Sequence, residues 1–135
     1  MVREKARFLV YQATFTRVEE SQKGNPHKKS RLEAAPSEGL LEKAFLQRLS
    51  LLYGDFGVAN VGRFRVFLLN KGTVFVLRVR RLGEDDAARV IAAWTDVDGY
   101  RASFTSLHVA GSVSQLKRAL RRKKIIVNEG EIALL

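Results

Sequence analysis

The sequence predicts an α+β fold with the element order β-α-β-β-α-β, an antiparallel sheet and one further helix near the C-terminal end. Several segments alternate apolar and polar residues, or are rich in aromatic and β-branched residues, as strands are. Others repeat apolar residues at the three- and four-residue spacing of an amphipathic helix. With 135 residues, 46% of them hydrophobic, the chain is long enough for one domain, residues 1–135, with its own core.

The first strand is predicted at residues 8–15, which are rich in aromatic and β-branched side chains. Residues 17–36 are polar and contain both prolines, so we expect a loop insert there. Ser37 is a suitable N-cap for the first helix, because its hydroxyl can accept a hydrogen bond from an amide of the first turn. Gly54 is expected to end that helix. The predicted apolar stripe of the helix is Leu41, Phe45, Leu49 and Leu52.

The next two strands are predicted to form a hairpin. They cover residues 61–69 and 73–80, on either side of the tight turn Asn70-Lys71-Gly72. Alternation places four basic side chains on one face of the hairpin: Arg63, Arg65, Arg78 and Arg80. The opposite face is apolar and is formed by Phe64, Val66, Leu68, Phe75, Leu77 and Val79.

The second helix is predicted to begin at the acidic residues 84–86, where negative charge is favourable for the helix dipole. Its buried face is predicted to consist of Ala87, Val90, Ile91 and Trp94. Residues 96–99 are expected to form a turn, and residues 102–109 the last strand. Ser112 and Gln115 fit a capping box for the third helix. The apolar stripe of that helix is Val113, Leu116 and Leu120.

This element order is that of ferredoxin-like folds, and RNA-recognition motifs share it. We therefore expect the helices to lie on one face of the sheet. An RNA-recognition motif stacks bases on aromatic side chains of its third strand, whereas residues 73–80 lack that aromatic platform. The sequence thus favours recognition of RNA shape and phosphates over base stacking.

The formal net charge of +10 is the strongest signal in the composition. A small domain with this charge is typical of proteins that bind a polyanion, most often a nucleic acid. Lys or Arg occupies six of the eight positions from 117 to 124, within the predicted third helix. Like charges at this spacing repel each other, and a phosphate backbone would offset that cost. Gly111 and Ser112, directly before the helix, would present backbone amides to a phosphate.

The chain contains no cysteine, which excludes disulfides, thiolate metal sites and cysteine nucleophiles. Two alternatives to RNA binding remain open at this stage. Two acidic pairs, Asp85 with Asp86 and Asp96 with Asp98, keep a small metal-dependent nuclease as one alternative. The other is a protein-interaction module whose charge serves solubility only.

His108 is expected to lie on the last strand, opposite the face of Leu107 and Val109. No nucleophile and orienting partner are evident for it, so a surface or RNA-contacting role is favoured over catalysis. No apolar run approaches the ~18 residues of a membrane span, so we expect no membrane partner. The first residues lack the pattern of a secretory signal, and we expect an intracellular protein.

Four short motifs, in order along the chain, resemble those of a known family. They are the basic start at residues 2–9, the glycine-rich stretch at 53–59, the basic strand end at 78–80, and the strand-to-helix junction at 104–112. The family is processing-of-precursors five, the small ferredoxin-like protein subunit of ribonuclease P and ribonuclease MRP. The resemblance spans nearly the whole chain outside the insert at 17–36.

The resemblance implies a protein subunit that does not itself cleave RNA. The catalytic RNA of ribonuclease P would hold Mg²⁺ and remove the 5′ leader of precursor tRNA, and the protein would bind no cofactor. Partners would be that RNA, precursor tRNA, and other protein subunits such as a TIM-barrel thirty-kilodalton subunit or a ferredoxin-like partner. Apolar faces on the first helix or the C-terminal tail would serve protein pairing. An archaeal source, which composition favours, implies the cytoplasm, and a eukaryotic source implies the nucleus or nucleolus.

The residues predicted to contact RNA come from three parts of the chain. The basic N-terminal segment would reach RNA near the catalytic centre, the junction would seat a phosphate, and the cationic helix would neutralise adjacent backbone. The predicted set is Arg3, Lys5, Arg7, His108, Gly111, Ser112, Lys117, Arg118, Arg121 and Arg122.

Overall fold

The computed structural model describes residues 5–18, 35–126 and 128–135. Its strands are β1 (Ala6–Arg17), β2 (Arg65–Leu69), β3 (Val74–Arg80), β4 (Asp96–Val97) and β5 (Tyr100–Ala110). Its helices are α1 (Glu38–Val61), α2 (Glu84–Ala92), α3 (Val113–Arg122) and α4 (Glu129–Ile132). Most of the predicted loop insert, residues 19–34, lies outside the described ranges.

The strands form one five-stranded sheet in the order β2-β3-β1-β5-β4, and all neighbouring pairs are antiparallel. β1 lies at the centre of the sheet and pairs with β3 and β5. The predicted α+β, ferredoxin-like class is confirmed. One detail of the prediction is wrong, because Asp96 and Val97 form the short edge strand β4 instead of part of a turn.

The first hydrophobic core lies between α1, α2 and one face of the sheet. Phe45 of α1 is fully buried there, and its ring contacts those of Phe64 and Trp94 at centroid distances of 5.0 and 6.1 Å. The helix residues of this core are Leu41, Phe45, Leu49, Val61, Ala87, Val90 and Ile91. Three residues of the predicted buried face of α2 are therefore confirmed, whereas Trp94 is buried in the same core but lies beyond the end of the helix.

A second hydrophobic core covers the other face of the sheet, so the expectation that helices lie on one face is wrong. Leu116 and Leu120 of α3, together with Ile126 and Ile132, pack on that face. The sheet contributes Phe8, Val10, Leu69, Val74, Val76 and Ala110. The physical reason is the composition of β3, whose residues from Val74 to Leu77 are apolar on both faces and need cover on both.

The end of α1 also departs from the prediction. Gly54 leaves the helical conformation, with φ 63° and ψ −156°, but the helix resumes and continues to Val61. β2 consequently begins only at Arg65. Leu52, predicted to be buried, is 52% exposed, whereas Tyr53 packs against the first core. The buried stripe therefore continues at four-residue spacing from Leu49 to Tyr53, not at three-residue spacing to Leu52.

Candidate nucleic-acid interface

The pairing of β1 with β5 brings the basic N-terminal segment beside the junction that precedes α3. Phe8 pairs with Ala110, so the start of β1 lies next to the end of β5. The two segments enclose a concavity of about 610 Å³, which we call the junction hollow. It is lined by Lys5, Ala6, Arg7, Val109, Ala110, Gly111 and Gln115. The fold thus places three of the sequence-predicted residues, Lys5, Arg7 and Gly111, around one concave surface.

Arg7 is held in place at the wall of the junction hollow. Its Nη1 donates a hydrogen bond to the carbonyl oxygen of Ala6 at 3.1 Å, and its Nε lies 3.5 Å from Oε1 of Glu84. The side chain is only 24% exposed. A Cβ at Gly111 would lie 3.3 Å from the Arg7 Nη1 atom, so the glycine leaves room for the guanidinium. The cation is therefore preorganised and faces the junction.

The residues at the start of α3 form the predicted capping pair. Ser112 Oγ accepts a hydrogen bond from the amide of Gln115 at 3.2 Å, and Gln115 Oε1 accepts one from the amide of Gly111 at 3.0 Å. The amide of Gly111, predicted to bind a phosphate, is therefore already engaged by Gln115. An anion at this helix start would meet the amides of the next residues, Val113 and Ser114, or displace the Gln115 side chain.

The basic residues of α3 separate into two rows. Arg118 and Arg122 follow Gln115 at three- and four-residue spacing, so they share the side of the helix that leads from the junction hollow. Lys117 and Arg121 lie along the other side. Arg118 and Arg122 are both exposed, and they extend the cationic surface of the junction hollow along the helix.

Arg121 belongs to an ion pair within the protein. Its Nε donates to both carboxylate oxygens of Glu129 at 3.1 Å, and its Nη2 lies 3.0 Å from Glu129 Oε1. These hydrogen bonds and the negative charge of Glu129 raise the pKa of Arg121. The sequence prediction assigned Arg121 to RNA, whereas the structure shows it connecting α3 to α4.

His108 lies apart from the junction hollow. Its Nδ1 is 3.2 Å from Nζ of Lys123, at the C-terminal end of α3. The predicted surroundings of His108 are right for Val109 and wrong for Leu107. Val109 pairs with Leu9 and lies opposite His108, which pairs with Val10, whereas Leu107 packs against the second core on the same face as Val10. The reason is a shift in the β1–β5 register between Val10 and Tyr11, which interrupts simple alternation in β5. Arg3 lies outside the described residues.

A second basic concavity adjoins the first. It has a volume of about 360 Å³ and is lined by Lys5, Ala6, Gly62, Arg63, Arg78, Val79 and Arg80. Lys5 lines both concavities. The sequence placed these arginines on one hairpin face but did not assign them to a site, because the position of Lys5 beside them depends on the pairing of β1 with β3.

The acidic pairs of the nuclease alternative have other partners. Asp96 Oδ1 lies 2.6 Å from Nη2 of Arg48, and Asp86 Oδ1 lies 3.9 Å from Nη1 of Arg89. Across residues 5–18, 35–126 and 128–135, no group of three or more histidine or acidic side chains is placed to hold a metal ion. In the same ranges, no helix has the length and hydropathy needed to cross a membrane.

Comparison with known proteins gives one family. A family model described as Rpp14/Pop5 matches residues 7–121. Among solved structures, the chain is similar to one in the cryo-EM structure of yeast ribonuclease MRP, with 14% identity and a TM-score of 0.55, over 93% of this chain and 95% of that chain. At this identity the likeness shows the fold alone.

A weaker likeness is to an amidase of the hydantoinase/carbamoylase family from Burkholderia phymatum. It has 14% identity and a TM-score of 0.32, over 87% of this chain and 33% of that chain, and carries no argument. No curated protein matches the chain.

Proposed function

Because the chain belongs to the Rpp14/Pop5 family and is therefore a protein subunit of the ribonuclease P/MRP type, we propose that it binds the RNA of that particle without cleaving RNA itself. In this proposal Mg²⁺ belongs to the RNA, which removes the 5′ leader of precursor tRNA. The other partners are precursor tRNA and further protein subunits. An intracellular location follows from the same proposal.

The junction hollow is the observation that supports RNA binding most strongly. Lys5 and Arg7 come from one end of the chain and meet the start of α3, from which Arg118 and Arg122 continue along the helix. A cationic helix next to a preorganised guanidinium suits a phosphodiester backbone, whose neutralisation releases counterions. The repulsion between Arg118 and Arg122, which lie four residues apart on α3, is then relieved in the complex.

Protein subunits of the particle are proposed to dock on a different surface. Apolar side chains are exposed on α1 on both sides of the Gly54 interruption, and they include Leu51 at 81% and Phe56 at 85% exposure. Exposed apolar side chains of this size, when grouped, are typical of protein contacts. The partner would be another subunit, such as the TIM-barrel or the ferredoxin-like protein.

The first prediction tests RNA binding directly. Replacing Arg118 and Arg122 together by alanine should weaken binding of the ribonuclease P RNA. It should also reduce the magnitude of the negative slope of log K against log salt by about 2, because two phosphate contacts are lost. Filter binding at several salt concentrations measures both quantities. The matched control replaces Arg89 and Arg101 by alanine. Both side chains are exposed, so this variant removes the same charge at positions away from the hollow. Equal affinities and slopes for wild type and both variants would contradict the proposal.

A further inference from the structure

We propose that Arg63, Arg65 and Arg78 form a second RNA-backbone site, which continues the path of the RNA from the junction hollow across the sheet. The inference rests on the proposed RNA-binding function. It extends that function to a surface of which the four motifs named in the sequence analysis include only Arg78. The ligand chemistry is a run of phosphodiester groups, recognised by charge and guanidinium hydrogen bonds and not by base stacking.

The register of the sheet places the two sites in one line. Ala110 pairs with Phe8, Phe8 with Arg78, and Arg78 with Arg65, so the line crosses β5, β1, β3 and β2. Adjacent strands lie about 4.8 Å apart, which puts Arg65 roughly 14 Å from Ala110. Lys5 lines both concavities and keeps the cationic surface continuous between them.

On the sheet face that carries the second core, the residues buried by α3 and α4 are followed directly by exposed arginines. Val74 and Val76 of β3 are buried in the second core, whereas Arg78, the next residue on the same face, is exposed. Arg65 is its partner in β2 and is exposed too. The guanidinium groups therefore lie in solvent at the margin of the α3 and α4 layer, where a nucleic-acid backbone can reach them.

The structure distinguishes these three arginines from their neighbour Arg80. Arg80 Nη1 donates to the carbonyl oxygen of Ala59 at 3.1 Å, and its side chain packs against Gly62. In the described ranges of the chain, no carboxylate lies within ion-pair distance of Arg63, Arg65 or Arg78. Arg80 thus supports the fold of the hairpin, and the other three cations have their charge available to a ligand.

Arg65 is also partly oriented before any ligand binds. Its Cζ lies 5.0 Å from the centroid of the Phe67 ring, two residues along β2 on the same face. A guanidinium that rests on an aromatic face keeps its N–H donors directed outward in the plane of the group. This contact uses the aromatic ring to position a cation, so Phe67 is a support for phosphate binding and not a base-stacking platform.

The test compares four double variants and one quadruple variant on the same RNA, the ribonuclease P RNA transcribed in vitro. Replacing Arg65 and Arg78 by alanine should reduce the magnitude of the salt slope by about 2, and replacing Arg118 and Arg122 should do the same. The quadruple variant should show the sum of both reductions. The Arg89 and Arg101 control should keep the wild-type slope. A double lysine variant, R65K/R78K, preserves the charge and should recover most of the slope even if the alanine variant is less stable.

The outcomes separate the two proposals. If wild type binds the RNA, and loss of Arg118 and Arg122 weakens it while R65A/R78A binds with the wild-type slope, the second site is wrong and the proposed function stands. The second site is also wrong if R65K/R78K loses as much slope as R65A/R78A, because charge is then not what these positions supply. If wild type does not bind the RNA with a salt-dependent affinity, the proposed function itself fails.

Discussion

At the scale of single residues, the burial of Tyr11 changes the ionisation of its phenol. It is 8% exposed in the first core, where its ring makes edge contacts with Phe75 at 6.2 Å and Phe104 at 6.3 Å. Burial, and secondarily the negative charge of Glu84, raises the pKa of the Tyr11 phenol. The neutral phenol is therefore the form that the folded protein favours.

This raised pKa predicts a loss of stability at alkaline pH. In the unfolded chain a tyrosine ionises near pH 10, whereas in the folded protein Tyr11 retains its proton at that pH. Above about pH 10 the unfolded state therefore binds fewer protons, and the free energy of unfolding falls as the pH rises toward the folded pKa. Urea unfolding of wild type and Tyr11→Phe from pH 8.5 to 11 should show a steeper fall for wild type. Parallel curves would contradict this assignment.

The site residues show which features of the candidate site could be predicted from the sequence and which could not. The composition and spacing of the chain identified the basic clusters and the capping pair Ser112 and Gln115. They could not separate cations that serve the fold from cations that face solvent. Arg121 bonds Glu129, and Arg7 lies beside Glu84, because tertiary pairing places those carboxylates there. Spacing along the chain carries no information about such partners.

At the scale of elements, alternation and helical spacing located all four predicted strands and all three predicted helices. The errors in their boundaries have local causes. The edge strand β2 is shorter than predicted because α1 resumes after Gly54. The amides of Val66 and Leu68 on its open edge donate to Glu42 Oε2 at 2.9 Å and Glu38 Oε2 at 2.8 Å. These helix carboxylates satisfy donors that an edge strand otherwise leaves unpaired, a pairing that sequence spacing cannot reveal.

The close contact between the end of α1 and the start of α2 predicts how one added methyl group at Gly83 changes the stability of the protein. Gly83 is buried, and a Cβ there would lie 2.7 Å from the backbone nitrogen of Val61. Gly83→Ala should therefore destabilise the protein by about 1–3 kcal/mol through overpacking. Gly39→Ala is the matched control, because a Cβ there meets nothing within 4 Å and alanine favours the helix by up to about 1 kcal/mol.

Urea unfolding gives the two free energies on one scale. The Gly83 variant should show a lower midpoint than wild type, and the Gly39 variant an equal or higher one. A Gly83 variant with the wild-type midpoint would mean that α1 and α2 separate at no cost, and the packing described at this contact would be incorrect.

At the scale of the whole molecule, the sheet separates two surfaces. α1 and α2 cover one face, and α3 with α4 covers much of the other, including the part of β3 where an RNA-recognition motif would stack bases. Net charge predicted a polyanion partner from sequence alone. The covered second face was not predicted, because it depends on the tertiary packing of α3, Ile126 and α4 against the sheet.

This separation predicts that RNA binding and protein docking can be lost independently. Leu51 and Phe56 project from α1, which packs on the first core through Leu41, Phe45 and Leu49, whereas the basic concavities open at the start of β1. Replacing Leu51 and Phe56 by serine should change the free energy of unfolding by less than about 0.5 kcal/mol, because both side chains are already exposed. The salt slope for RNA should stay at the wild-type value.

The same variant should lose the other protein subunits of the particle. Purifying tagged protein from its own cells, after nuclease digestion of RNA, isolates contacts that do not pass through RNA, and mass spectrometry then quantifies the subunits. The variant with Arg118 and Arg122 replaced is the opposite control and should retain them. Equal recovery of subunits with the serine variant would place the protein contact elsewhere. Loss of subunits from both variants would mean that the two surfaces are coupled and that the sheet does not separate them functionally.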